Sequence, residues 1–154
     1  MRRYALAGIV LMSAALAVGC GSNSEDAEVF DAVLTGEAEV PARSTAASGR
    51  SQIVIEGGVV HYSIEVDDLS SITQSHIHTG SATVAGPVRV FLFQGSSSTT
   101  EKRTLASGSF NASNVLNISY EQLLADIRSG NAYVNVHTTT FPGGEIRGQL
   151  RKVN

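Results

Sequence analysis

Hydrophobic and polar residues alternate along most of this chain from Glu28 onward. In residues 59–66, with the sequence VVHYSIEV, one face consists of Val60, Tyr62, Ile64 and Val66, and His61, Ser63 and Glu65 fall on the other. A side-chain period of two is typical of a β-strand that has one buried face. The pattern therefore predicts an all-β domain.

Other segments with the same pattern are separated by turn-forming residues. The further strand candidates are residues 29–35, 49–56, 72–78, 88–94, 103–110, 132–137 and 145–150. Gly57 and Gly58 favour a tight hairpin, because glycine tolerates positive φ. Several short strands with regular turns predict a Greek-key-like antiparallel β-sandwich or barrel.

One short helix interrupts the strand pattern. Ser119 is a typical N-cap, Gln122 completes a capping-box spacing, and Gly130 is placed to end the helix. The apolar stripe between them consists of Leu123, Leu124 and Ile127. We expect this helix to cover one end of the sandwich.

The first 19 residues have the pattern of an export signal. Arg2 and Arg3 precede a nearly continuous apolar run that is too short to span a bilayer comfortably. The run ends at Cys20, and residues 17–20, AVGC, resemble the lipobox of bacterial lipoproteins, in which the cysteine is acylated. An ordinary secretory signal with a cysteine near the cleavage site is the alternative. Gly21, rather than Asp, follows the cysteine, which favours an outer membrane.

The sequence predicts three parts: a signal peptide at residues 1–19, a flexible tether at 20–27 and one domain at 28–152. Without residues 1–19 the chain has nine basic and fourteen acidic residues, a formal net charge of −5. A nucleic-acid partner is not expected for such a chain. Cys20 is the only cysteine, so no disulfide can form within the chain.

Histidines provide the main candidate for chemistry. In residues 75–78, SHIH, the strand period turns Ile77 inward and sends His76 and His78 to the opposite face, with α-carbons about 6.6 Å apart. His137 falls on the polar face of a candidate neighbouring strand and could supply a third nitrogen. His61 also lies on a polar face, but nothing connects its strand to the others. We expect these imidazoles on the solvated side of the sheet.

Two interpretations of the three histidines remain open. They could bind copper or zinc, which imidazole ligands favour over magnesium or calcium. Asn135, Glu145 and Arg147 would then support the ligands from the second shell. Alternatively, the same polar residues form a hydrogen-bonded network that fixes the turn at residues 141–144.

Several motifs resemble the CHRD domain, which is named after chordin. These are residues 76–80, HIHTG, residues 86–88, GPV, residues 133–138, YVNVHT, and residues 142–150, PGGEIRGQL. The resemblance also includes residues 34–36 and 40–41, and it covers nearly all of residues 29–150. It implies an extracellular β-sandwich module without an established enzymatic activity.

The His-x-His strand also resembles, more distantly, the copper ligand pair of copper/zinc superoxide dismutase. Between His78 and His137 the chain has no further histidine, so the bridging and zinc ligands of that family are absent. We therefore expect no dismutase activity and no enzyme. Two functions remain: a lipid-anchored surface module for a protein or polysaccharide partner, and a cell-envelope protein that binds copper or zinc.

Overall fold

A computed structural model describes residues 27–99 and 101–153, which form one antiparallel sheet with a short helix. The signal peptide and most of the tether predicted from the sequence lie outside the described residues. The strands are β1 (Glu28–Thr35), β2 (Ser48–Glu56), β3 (Val59–Asp67), β4 (Leu69–Thr79), β5 (Val88–Thr99), β6 (Arg103–Phe110), β7 (Ala132–Thr138), β8 (Ile146–Gln149) and β9 (Arg151–Lys152). A 3₁₀ turn (Ala112–Asn114) and α1 (Tyr120–Arg128) separate β6 from β7.

The strand order is β5-β4-β7-β8-β1-β2-β3-β6, and β9 also pairs with β1. Neighbours that are distant in sequence, such as β4 with β7 and β1 with β8, require crossovers. The terminal strands, β5 and β6, approach each other. Next to β6, the hydroxyl of Tyr62 on β3 donates a hydrogen bond to the carbonyl of Leu92 on β5 at 3.0 Å. The sheet is thus a nearly closed barrel, and the predicted all-β class is confirmed.

Side-chain alternation fills the interior as the sequence predicts. On β3, Val60 and Ile64 are fully buried, whereas His61 is exposed. Gly57 and Gly58 adopt φ of 55° and 76° in the β2–β3 turn. The other strands contribute to the same core, including Phe30 and Leu34 of β1. Each such side chain contributes about 1.5–3 kcal/mol of burial free energy.

The helix forms where the sequence predicts it. The side chain of Ser119 accepts a hydrogen bond from the backbone N–H of Gln122 at 3.1 Å, which caps the first turn. Gly130 follows the helix with φ of 74°. The predicted apolar stripe (Leu123, Leu124 and Ile127) is buried in the core. Among the described residues, no helix has both the length and the apolar character needed to cross a membrane.

One strand boundary was wrong. The strand predicted at residues 88–94 is longer in the structure, because β5 continues through the serine-rich segment that follows as far as Thr99. The reason is pairing with an equally extended β4, in which Leu69 is opposite Thr99 and Ile72 is opposite Ser97. Backbone pairing therefore outweighs the weak strand preference of serine.

Candidate functional site

The register between β4 and β7 brings the predicted histidines together. Ile77 pairs with Val134, and both side chains are fully buried in the core. On the opposite face of the sheet, His76 is opposite Asn135 and His137 is opposite Gln74. Directly opposed and diagonal residues of an antiparallel pair are near neighbours on one face. The register thus joins His76, His78 and His137 into one group, which we call the histidine cluster.

The histidine cluster is not on a solvated face, contrary to expectation. His76 is 3% exposed, His78 is 7% exposed, and His137 is half-buried. Loops cover this side of the sheet: residues 80–87 reach His78, and residues 139–144 reach His137. The strand period correctly separates these side chains from the aliphatic core. It contains no information about the loops that fold over them.

The three rings are in direct contact. Nδ1 of His76 lies 3.0 Å from Nε2 of His137. The ring centroids of His76 and His78 are 5.4 Å apart, and those of His76 and His137 are 4.7 Å apart. One nitrogen from each ring can be chosen so that all three lie within 4.8 Å of one another. That spacing is compatible with three ligands of one metal ion, since zinc–nitrogen bonds are about 2.0–2.1 Å.

Carbonyl oxygens face the outer nitrogens of all three rings. Nδ1 of His78 lies 2.9 Å from the carbonyl oxygen of Gly86, and Nδ1 of His137 lies 2.8 Å from that of Pro142. Nε2 of His76 lies 2.9 Å from Oε1 of Gln74. A backbone carbonyl oxygen only accepts hydrogen bonds, so Nδ1 of His78 and Nδ1 of His137 carry protons, and Nε2 of His76 carries one when Oε1 of Gln74 faces it. Nδ1 of His76 and Nε2 of His137 then face each other with lone pairs, whereas Nε2 of His78 faces Oδ1 of Asn135.

Burial keeps these imidazoles neutral. Burial, together with the neighbouring His137 and His78, lowers the pKa of His76 from 6.5 to about 3. Burial also lowers the pKa of His78, against the opposing effect of the Gly86 carbonyl. The pKa of His137 is lowered by burial as well, with the Pro142 carbonyl acting in the opposite direction. At neutral pH the rings therefore retain the lone pairs that a metal ion requires.

Comparison with known families adds an independent observation. The profile of the CHRD domain matches residues 30–150, which include every residue of the histidine cluster. The chain belongs to the CHRD family. Searches of curated proteins and of solved structures found no match. The expectation drawn from the motifs is therefore confirmed for the family.

Asn135 lies closest to the histidines among the three predicted supporting residues of this CHRD domain. Its Oδ1 is 3.0 Å from Nε2 of His78. Arg147 is 1% exposed and donates to the carbonyls of Ser81 and Val84, which anchors the 80–87 loop. Arg147 thus supports the cluster indirectly, by fixing the loop that covers His78.

Glu145 has a different set of partners from the one expected. Its Oε1 accepts from the hydroxyl of Thr45 at 2.7 Å, and its Oε2 accepts from that of Thr138 at 2.6 Å. Both bonds hold the carboxylate at the base of the 139–144 loop. Glu145 therefore positions the loop that provides the Pro142 carbonyl for His137.

Sequence reasoning missed several residues of the site. Tyr133 stacks on His78 with centroids 4.8 Å apart, and its hydroxyl accepts from the backbone N–H of Gly86. Phe91 on β5 packs edge-on against His76 at 4.6 Å. Gln74 shares the strand period of His76 and His78, so the alternation could have identified it.

Glu39 is a buried carboxyl that no sequence pattern marked. It is 7% exposed, and burial raises its pKa, while Arg147 acts in the opposite direction. A Cβ atom on Gly144 would lie 2.2 Å from Oε1 of Glu39 and 3.0 Å from Nδ2 of Asn135. The glycine at this position therefore allows the 139–144 loop to close over both residues.

His61 stands apart, as the sequence suggested. It is exposed on β3, opposite Val54 of β2. The group of potential metal ligands found within the described residues contains only His76, His78 and His137. His61 is consequently a suitable control in any test of metal binding.

Proposed function

We propose that this CHRD protein is a non-catalytic, lipid-anchored module of the cell envelope that binds one copper or zinc ion through His76, His78 and His137. The main support is the orientation of the three rings. Each ring has one nitrogen that faces a carbonyl-type oxygen of Gln74, Gly86 or Pro142, and one nitrogen from each ring can be chosen so that the three lie within 4.8 Å of one another. A hydrogen bond from the second ring nitrogen is the usual way in which proteins orient a metal-binding histidine.

The donor set favours copper or zinc. Imidazole nitrogen suits these ions, whereas magnesium and calcium prefer oxygen ligands. The buried carboxylates Glu39 and Glu145 accept hydrogen bonds from Val40, Thr45 and Thr138 and do not extend the nitrogen cluster. We accordingly propose metal binding without hydrolytic or redox catalysis.

Cell-envelope location is a separate part of the proposal and rests on the sequence. Residues 1–19 have the features of an export signal, and Cys20 is the residue to be acylated. Several acyl chains would hold the domain on a membrane, because each buried methylene contributes about 0.8 kcal/mol. Gly21 favours the outer membrane as the destination.

A metal-free surface module is the second candidate. Its supporting observation is that every ring nitrogen of the cluster already has a hydrogen-bond partner within the chain. In this case His76 donates to His137, and the amide of Gln74 turns to donate to His76. The cluster would then only hold the two loops, and the domain would bind a protein or polysaccharide through its surface.

Metal analysis separates the two candidates. The protein is loaded with Cu(I) under anaerobic ascorbate, with Cu(II) or with Zn(II), then dialysed and analysed for bound metal, with Cys20→Ser in every sample because a free thiolate binds copper and zinc. We expect close to one equivalent of metal, loss of that metal in His76→Gln/His78→Gln, and retention in His61→Ala. Absence of copper and zinc from the folded wild-type protein after loading with Cu(I), Cu(II) and Zn(II) would reject the metal-binding proposal and leave the surface module.

A further inference from the structure

The histidine cluster contributes no negative charge to a bound ion. All three ligand atoms are imidazole nitrogens, which are neutral when they bind metal. An ion in the cluster therefore keeps its full formal charge, one for Cu(I) and two for Cu(II) or Zn(II). This distinguishes the cluster from copper and zinc sites that include a thiolate or a carboxylate ligand.

The surroundings make a double positive charge costly. His76 and His78 are nearly inaccessible to solvent, and burying an ion is penalised by the loss of hydration, which grows with the square of its charge. The guanidinium of Arg147 lies 3.3 Å from the centroid of the Tyr133 ring, and that ring stacks on His78. A fixed positive charge is thus separated from one ligand by a single aromatic ring.

The nearby carboxyl groups offset this charge only in part. Glu145 is committed to the hydroxyls of Thr45 and Thr138. Glu39 interacts with Arg147 and with the amide of Asn135, and its Oε2 accepts a hydrogen bond from the backbone N–H of Val40. Both groups therefore stabilise loops and Arg147 rather than the position between the three imidazoles.

The small number of ligands also favours a singly charged ion over Zn(II). Structural zinc sites are almost always four-coordinate, and the next side chain beside the cluster is the neutral amide of Asn135. Phe91 packs edge-on against His76 and places an aromatic ring beside the cluster. Three nitrogens in a buried, partly aromatic environment suit an ion that accepts three ligands and has a single charge.

From this combination we infer that the site selects monovalent copper over Cu(II) and Zn(II). The inference rests on the proposed metal-binding function and specifies which ion occupies the cluster. We expect Cu(I) to bind at least about 100-fold more tightly than Cu(II), which corresponds to a reduction potential about 120 mV above that of copper ion in the same buffer. Zn(II) follows Cu(II), because nitrogen sites bind copper(II) more strongly than zinc.

Competition titrations test this selectivity. The protein, again with Cys20→Ser, competes for Cu(I) with bicinchoninate under anaerobic ascorbate, and for Cu(II) and Zn(II) with chelators of known affinity. Gln74→Glu is the diagnostic variant, since it replaces the amide beside His76 with a carboxylate of the same shape. We expect this added charge to reduce the ratio of Cu(I) to Cu(II) affinity by about tenfold. His61→Ala is the control and should keep the wild-type ratio.

The possible outcomes distinguish the two levels of the proposal. Equal or tighter binding of Cu(II) or Zn(II), lost in His76→Gln/His78→Gln, would overturn the selectivity and leave metal binding intact. An unchanged affinity ratio in Gln74→Glu would show that charge beside the cluster does not set the preference, and this also overturns the inference. Failure of the wild-type protein to bind any of the three ions would remove the proposed function itself.

Discussion

Nδ1 of His76 lies 3.0 Å from Nε2 of His137, across the β4–β7 pair and 61 positions apart in sequence. The carbonyl oxygens opposite the other nitrogens of these rings direct two lone pairs at each other. Two lone pairs at this distance repel unless a proton or a metal ion lies between them. Either a proton or a metal ion can therefore be bound between these two nitrogens, and we expect pH and metal concentration to determine which one is present.

Acid should destabilise the metal-free protein through His76. The folded state lowers the pKa of His76 to about 3, whereas an unfolded histidine titrates near 6.5. The unfolded chain then binds more protons between these values, so the contribution is present above pH 6.5 and decreases as pH falls towards 3. At pH 5 the expected loss from this residue is about 2 kcal/mol in the free energy of unfolding.

Urea unfolding at pH 7.5 and pH 5 measures this effect. Carboxylates contribute to the same pH range, so His76→Gln provides the reference for their contribution. We expect the wild-type protein to lose more stability than this variant between the two pH values. Parallel losses in both proteins would show that His76 is not held neutral by burial.

Removal of the Asn135 amide should destabilise the fold. Asn135→Ala leaves Nε2 of His78 without its partner in a buried environment, which costs about 1–3 kcal/mol. Asn131→Ala is the matched control, because Asn131 is exposed and bonds to the side chain of Asp126. Thermal or urea unfolding of both variants gives the comparison, and equal effects would contradict the role assigned to Asn135.

Two adjacent glycines should respond differently to alanine. Gly144 has φ of 116°, and its added Cβ would overlap Oε1 of Glu39. Gly143 is the control, because the atom nearest to its added Cβ is Nη2 of Arg43, at 3.6 Å. We expect Gly144→Ala to lower the free energy of unfolding by about 2–4 kcal/mol and Gly143→Ala by less than about 1 kcal/mol. Similar stabilities would show that the loop adapts without cost.

Acylation of Cys20 has a direct cellular test. In cells given a labelled fatty acid, we expect label on the wild-type protein, removal of residues 1–19 and recovery in the membrane fraction. Cys20→Ser should lose the label and leave the membrane fraction, because the thiol is the attachment site. An unlabelled wild-type protein in the aqueous fraction would favour the ordinary secretory signal.

The sequence predicted the sheet well because side-chain alternation is a local property. His76, Ile77 and His78 were assigned to the correct faces, since every residue in a strand turns to the side opposite its neighbours. The His-x-His pattern and the valines flanking Asn135 likewise identified which residues share the polar face.

Burial of the site could not be predicted in the same way. It depends on loops at residues 80–87 and 139–144, whose positions are fixed by Arg147 and Glu145 after the strands have assembled. Glu39 belongs to a segment without periodicity and meets Gly144 only through tertiary contact. The alternation thus identified the three histidines, while the buried environment that lowers their pKa values depends on the complete fold.

A crystal structure of the copper-loaded protein, with anomalous data collected across the copper edge, tests the central proposal most directly. We predict one strong peak within about 2.2 Å of one ring nitrogen of each of His76, His78 and His137. A peak elsewhere, for example at His61, or an empty cluster in protein exposed to excess copper would contradict the account.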